Sequence, residues 1–91
     1  MTESTQVPTA LAVKTTVREF IVENFLFGVA DANLTDDASF LETGIIDSTG
    51  ILELITFVET EYQMSVDDSE MLPQNLDSLN NISAFVAGKL S

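Results

Sequence analysis

Asp47 and Ser48 stand where an irregular stretch gives way to a helical apolar pattern, in the run Gly44-Ile45-Ile46-Asp47-Ser48-Thr49-Gly50-Ile51-Leu52-Glu53-Leu54. A hydroxyl at a helix start lies beside backbone N–H groups that lack an intrahelical partner, at the positive end of the helix dipole. That setting suits a phosphate, and a phosphodiester on Ser48 would be stabilised by both features. The same two residue types are also the commonest N-caps, and most Asp-Ser pairs before a helix only satisfy backbone donors. No capping box decides between the readings, because Gly50 and Ile51 occupy the positions where Glu or Gln would reach back. Gly50 is itself unusual. In a first turn it costs about 1 kcal/mol relative to Ala, which points to a close approach to the backbone there.

What Ser48 does chemically is narrowed by what the chain lacks. A serine nucleophile needs a base to take its proton, and the chain has no His, no Cys and only Lys14, Arg18 and Lys89 as basic side chains. Ser48 is therefore read as a substrate and not a catalyst, and the chain as a non-enzyme. Without Cys there is neither a disulfide framework nor a thiolate metal site. A formal charge of −12 repels nucleic acid and anionic membranes and calls for basic partners. No apolar run approaches membrane-spanning length, and residues 1–5 lack the basic and apolar regions of a signal peptide, so a cytoplasmic location is the default.

The elements that must position Ser48 follow from apolar spacing. Ninety-one residues allow one small domain. Residues 1–8 show no periodicity and read as a mobile tail, leaving a folded domain over 9–91. Thr9 can cap a helix to about Phe27, with Val13, Val17, Phe20, Ile21 and Asn24 on one face, Gly28 as the stop, and an apolar end covered by the following loop. Residues 29–46 form a long loop pinned across the core by Leu34, Phe40, Leu41, Ile45 and Ile46. A second helix runs from about Ser48 to Tyr62. Its buried face holds Ile51, Leu54, Ile55, Val58 and Tyr62, with Leu52 and Phe57 off that face and Glu53, Thr56, Glu59 and Glu61 directed outward. Residues 63–77 suggest a turn and one short helical segment. Asp77 or Ser78 then caps a last helix from about Leu79 to Leu90, with Leu79, Ile82, Phe85 or Val86, and Leu90 inward. The expected fold is all-α, a small four-helix bundle of three principal helices and one short one.

This order of a helix, a long loop, Gly44-Ile45-Ile46-Asp47-Ser48 opening an acidic helix, a short segment and a final helix resembles the acyl carrier protein family and its peptidyl and aminoacyl relatives. The most specific part is Gly44 to Tyr62, with Glu53-Leu54 and Val58-Glu59-Thr60-Glu61-Tyr62 after the serine. Weaker echoes are Ala38-Ser39-Phe40 and Leu76-Asp77-Ser78-Leu79. The resemblance implies that a phosphopantetheinyl transferase attaches a 4′-phosphopantetheine arm to Ser48, with Asp47 as its family-matched neighbour. The arm's thiol would hold an acyl or aminoacyl group as a thioester and present it to partner enzymes, so the chain works by tethering. Docking through the second helix implies Asp47, Thr49, Glu53, Thr56 and Glu59 as partner-binding residues. The implied partners are an acyl- or aminoacyl-loading ligase and downstream acyl-transfer enzymes with basic docking surfaces. Thr49 stands where the family has an apolar residue, and the local sequence looks most like stand-alone carriers that serve adenylate-forming ligases. A monomer is expected.

Two other functions compete with this one. Asp31, Asn33, Thr35, Asp37, Ser39 and Glu42 occupy the ligand positions of a calcium loop of EF-hand spacing, although Asp36 stands where the turn needs Gly. A small acidic adaptor, with Ser48 as a cap or phosphosite, would explain the charge and leave the conjunction of Gly44, Asp47, Ser48, Glu53 and Leu54 to chance.

Overall fold

The computed structural model describes residues 9–28 and 32–90; the tail expected over residues 1–8 lies outside them. Three long helices make the frame: α1 (Ala10–Phe25), α3 (Ser48–Tyr62) and α5 (Leu79–Leu90). Between them lie two single turns, α2 (Phe40–Thr43) and α4 (Pro73–Leu76), and a 3₁₀ turn at Asp68–Glu70. Among the described residues there is no strand.

Helix α1 starts as its sequence dictates. Thr9, in an extended conformation, accepts the Ala12 N–H on its hydroxyl at 3.1 Å. Val13, Val17 and Ile21, four residues apart and so on one face, are fully buried. The cap is worth about 1 kcal/mol. Burial of each aliphatic side chain is worth about 1.5–3 kcal/mol, so the buried stripe decides where this helix lies. The helix stops at Phe25, two residues earlier than the apolar pattern suggests. Phe27 and Gly28 both turn left-handed, and Gly28 N–H returns to the Val22 carbonyl at 2.8 Å. Two expectations fail at this end. Asn24 is exposed, its amide donating to the Phe20 carbonyl, and Phe27 is 91 % exposed, whereas Phe25 and Leu26 of the same apolar end are half-buried against the core.

On α3, Leu54, Ile55 and Val58 are buried and Ile51 and Tyr62 half-buried. Phe57, placed off this face by spacing, is half-buried as well. Its ring stacks on Phe20 with centroids 4.1 Å apart and planes at 15°, while Phe25 meets Phe20 edge-on at 6.0 Å. Leu52 is exposed as expected. The last helix runs over the expected residues. Ser78 is its cap, the hydroxyl accepting Asn81 N–H at 3.0 Å, and Leu79, Ile82 and Val86 are buried whereas Phe85 and Leu90 are half-buried.

The long loop is pinned by Leu34, Phe40 and Ile46, all buried, with Ile45 half-buried; Leu41, expected inward, is 45 % exposed. Polar ties reinforce it. Lys14 and Arg18 of α1 both pair with Asp36, Arg18 also donates to the Leu34 carbonyl at 2.9 Å, and Asn80 of α5 ties both Asp36 and Asp37. Lys89, the third cation, pairs with Glu70 at 2.6 Å and bridges α5 to the 3₁₀ turn. Its ammonium, together with the Asp67 N–H, lowers the Glu70 pKa. The stabilisation from that lowered pKa is present above the carboxylate's unfolded pKa and lost as pH falls through the folded one.

Candidate functional site

Ser48 is the first residue of α3 and is exposed. Asp47, the residue before it, is the N-cap: its Oδ1 accepts Gly50 N–H at 2.7 Å and its carbonyl accepts Ile51 N–H at 3.0 Å. The cap chemistry expected of this pair thus falls to Asp47, which leaves the Ser48 hydroxyl free of a capping role. Among the described residues, no hydrogen bond occupies the N–H groups of Ser48 or Thr49. Two donors at the positive end of a four-turn helix therefore stand beside the hydroxyl.

Gly50 has a steric cause. A Cβ on it would lie 2.7 Å from Ile46 Cγ2, 2.9 Å from Phe25 Cε1 and 3.3 Å from Asp47 Oδ1. The close approach that its position suggested comes from the protein's own core: Ile46 and the end of α1 press on the first turn of α3 and seat it. Gly50→Ala is expected to be destabilising. Overpacking costs about 1–3 kcal/mol against about 1 kcal/mol gained in helix propensity, so the melting temperature should fall by roughly 5–10 °C. A thermal melt that shows no fall would mean that Phe25 and Ile46 give way freely.

A cleft of about 140 Å³ opens beside the hydroxyl. Helix α2 contributes Leu41 to it, α3 contributes Ser48 and Ile51, and the far wall is Met71, Leu72 and Leu76, with Asp77 also lining it. Leu41, Leu52, Met71 and Leu72 are all more than a third exposed. Sequence spacing alone does not reveal the cleft, because its far wall comes from the single turn α4 and the two residues before it.

The other site residues divide. Thr49, Glu53 and Thr56 are exposed along α3, on the stretch that begins at Ser48. Glu59 is only half-exposed, and its Oε2 accepts the Val66 N–H at 2.8 Å, so it holds the loop after α3. Leu52, four residues after Ser48, adds an apolar side chain to this surface; the one-turn spacing is a signal that could have found it. Among the described calcium-loop positions, several side chains are committed elsewhere or lie apart. Asp37 is tied to Asn80, the Ser39 hydroxyl donates to Asp77, Glu42 lies exposed on α2, and Asp31 is outside the described residues. Among the described residues no three acidic side chains come together to hold a metal ion.

The three basic side chains are engaged with Asp36 and Glu70. The chain has no His or Cys, and the Ser48 hydroxyl is exposed, framed by a helix N-terminus and an apolar cleft. No described helix is long and apolar enough to cross a membrane.

No family model matches the sequence, and no curated protein does. A solved structure does: "Structure of KstB-PCP(apo)", a peptidyl carrier protein, is similar to this chain with a TM-score of 0.72. The two are 32 % identical, and the match covers 89 % of each chain. Identity at that level over almost the whole of both chains, on the same all-helical frame, shows that this chain belongs to the phosphopantetheine-dependent carrier protein family.

Proposed function

We propose that Ser48 carries a 4′-phosphopantetheine arm, and that the chain holds an acyl or aminoacyl group as a thioester on the arm's thiol and presents it to partner enzymes. The observation that carries this reading is the exposed Ser48 hydroxyl at the start of α3, relieved of capping by Asp47 and flanked by the Ser48 and Thr49 N–H groups. A phosphodiester there would meet donors and dipole without displacing any existing hydrogen bond. The arm supplies the sulfur the chain lacks and keeps its cargo at high effective concentration near a docked enzyme. The partners are a phosphopantetheinyl transferase, a loading ligase and downstream acyl-transfer enzymes, each with a basic docking surface. The test is intact mass after incubation with coenzyme A and a broad-specificity transferase: one added phosphopantetheinyl group is expected, and none would sink the reading.

Docking falls to Thr49, Glu53 and Thr56, with Asp47 at the edge and Leu52 as an apolar contact. Glu53 is the residue to probe, because it is exposed and no described hydrogen bond or ion pair uses its carboxylate. Glu59 is a poorer probe, since reversing its charge would also release the Val66 N–H. Glu53→Lys is expected to lower kcat/KM for loading by about tenfold at low ionic strength, with the difference shrinking as salt is added. Unchanged loading kinetics at low salt would remove Glu53 from the docking surface.

A further inference from the structure

Helix α2 is a single turn, too short to persist alone, so whatever holds it decides where the chain stands when it reaches Ser48. Its leading N–H groups all have partners. Phe40 N–H donates to the Asp77 carbonyl at 3.0 Å, Leu41 N–H to Asp77 Oδ1 at 3.0 Å, and Glu42 N–H to Ser39 Oγ at 3.1 Å. The Ser39 hydroxyl in turn donates to Asp77 Oδ2. Both oxygens of one carboxylate are therefore spent on the start of α2, while the Asp77 N–H closes α4 through the Pro73 carbonyl at 2.9 Å. At the far end of α2, Gly44 is left-handed and Ile46 N–H returns to the Phe40 carbonyl at 3.3 Å, which leaves Asp47 as the next residue. The cleft beside Ser48 has Leu41 of α2 on one side and Leu72 and Leu76 on the other. A clasp between residues 38 positions apart thus sets the separation of the cleft walls and fixes the segment that delivers the hydroxyl.

We infer that Asp77 is a positioning residue for the reaction at Ser48: by clasping α2 to the α4–α5 corner it holds Ser48 in the orientation from which the arm is accepted. This rests on Ser48 being the attachment residue. In that reaction the Ser48 oxygen bonds to the phosphorus that carries pantetheine. The pyrophosphate bond of coenzyme A breaks, adenosine 3′,5′-bisphosphate leaves, and the hydroxyl proton passes to a base on the transferase. Asp77 touches none of these atoms. It acts through α2, and the sequence signal for it was ambiguous because Asp77 and Ser78 were equivalent as caps for α5.

The experiment is steady-state arm transfer from coenzyme A, measured below the melting range of every variant, with kcat and KM for the carrier determined separately. Asp77→Ala keeps the backbone carbonyl bond to Phe40 and removes only the carboxylate. It and Ser39→Ala are each expected to lower kcat about tenfold, the scale of a misplaced reacting group, with KM changed less than about twofold. Ser39→Thr retains the hydroxyl and should restore kcat. Loss of folded chain alone would have the opposite pattern, raising the apparent KM and sparing kcat. Asn80→Ala removes a different tie, to Asp37, and is expected to lower the melting temperature while kcat stays at the wild-type value. Wild-type kcat in a folded Asp77→Ala chain, whatever its KM, would overturn the proposal. A wild-type chain that accepts no arm would overturn instead the assignment of Ser48, so the two failures are distinguishable.

Discussion

Ser48→Ala is expected to abolish the mass gain that the wild-type chain shows with coenzyme A and a phosphopantetheinyl transferase. The effect is all or none because the arm needs a hydroxyl oxygen, and the other described serines are poorly placed to substitute. Ser39 and Ser78 use their hydroxyls as caps, Ser83 is buried with its hydroxyl on the Leu79 carbonyl, and Ser65 and Ser69 do not open a long helix. The substitution should leave the fold intact. Asp47, not Ser48, caps α3, and Ala is the best helix former at an exposed first-turn position. Matching circular dichroism and melting temperature would confirm that the loss is chemical. A residual gain of one arm in the variant would place the attachment on another residue, and Ser48 would revert to an ordinary helix start.

Phe40→Ala is expected to be the most damaging single truncation in the core. The ring is fully buried, it is the largest side chain so enclosed, and it sits on the one-turn helix that leads to Ser48. Removing a buried Phe costs about 3–5 kcal/mol from lost transfer energy and the cavity left behind. A domain of this size has only about 5–15 kcal/mol of net stability, and here self-repulsion of like charges reduces it further. At about 4–8 °C per kcal/mol, the melting temperature should drop by roughly 20 °C or more. Thermal unfolding followed by circular dichroism measures this directly. A fall of less than about 5 °C would show that neighbouring side chains refill the space and that α2 is held by its polar clasp alone.

The long helices and the placement of Ser48 were legible because they depend on local rules. A stripe at Val13, Val17 and Ile21, or at Leu54, Ile55 and Val58, reads as a helix face whatever packs on it, and an Asp before such a stripe reads as a cap. What escaped depends on residues distant in sequence. Helix α2 has four residues and no periodicity; Asp77 meets its N-terminus and its Phe40 is fully buried, both through residues distant in sequence. Phe57 reads as off the buried face of α3, yet Phe20 of α1 lies against it. Asn24 fits the spacing of α1 and is exposed, because spacing assigns a side to a residue but does not say how far the neighbouring elements reach. Gly50 carried a correct warning of crowding whose source, Phe25 and Ile46, only the packed structure reveals. The segment over residues 63–77, read as a turn and one short helical segment, holds a 3₁₀ turn and the single turn α4, which has Pro73 at its first helical position.

The internal pairing of Lys14, Arg18 and Lys89 bears on how copies of this chain behave toward one another. With all three Lys and Arg side chains turned to carboxylates of their own molecule, one copy offers another little of opposite sign, and two copies approach as like-charged bodies. On the proposed function, arms on separate copies seldom meet, so cargo would not scramble directly between carriers. Each transfer would instead go through an enzyme whose surface brings the missing positive charge.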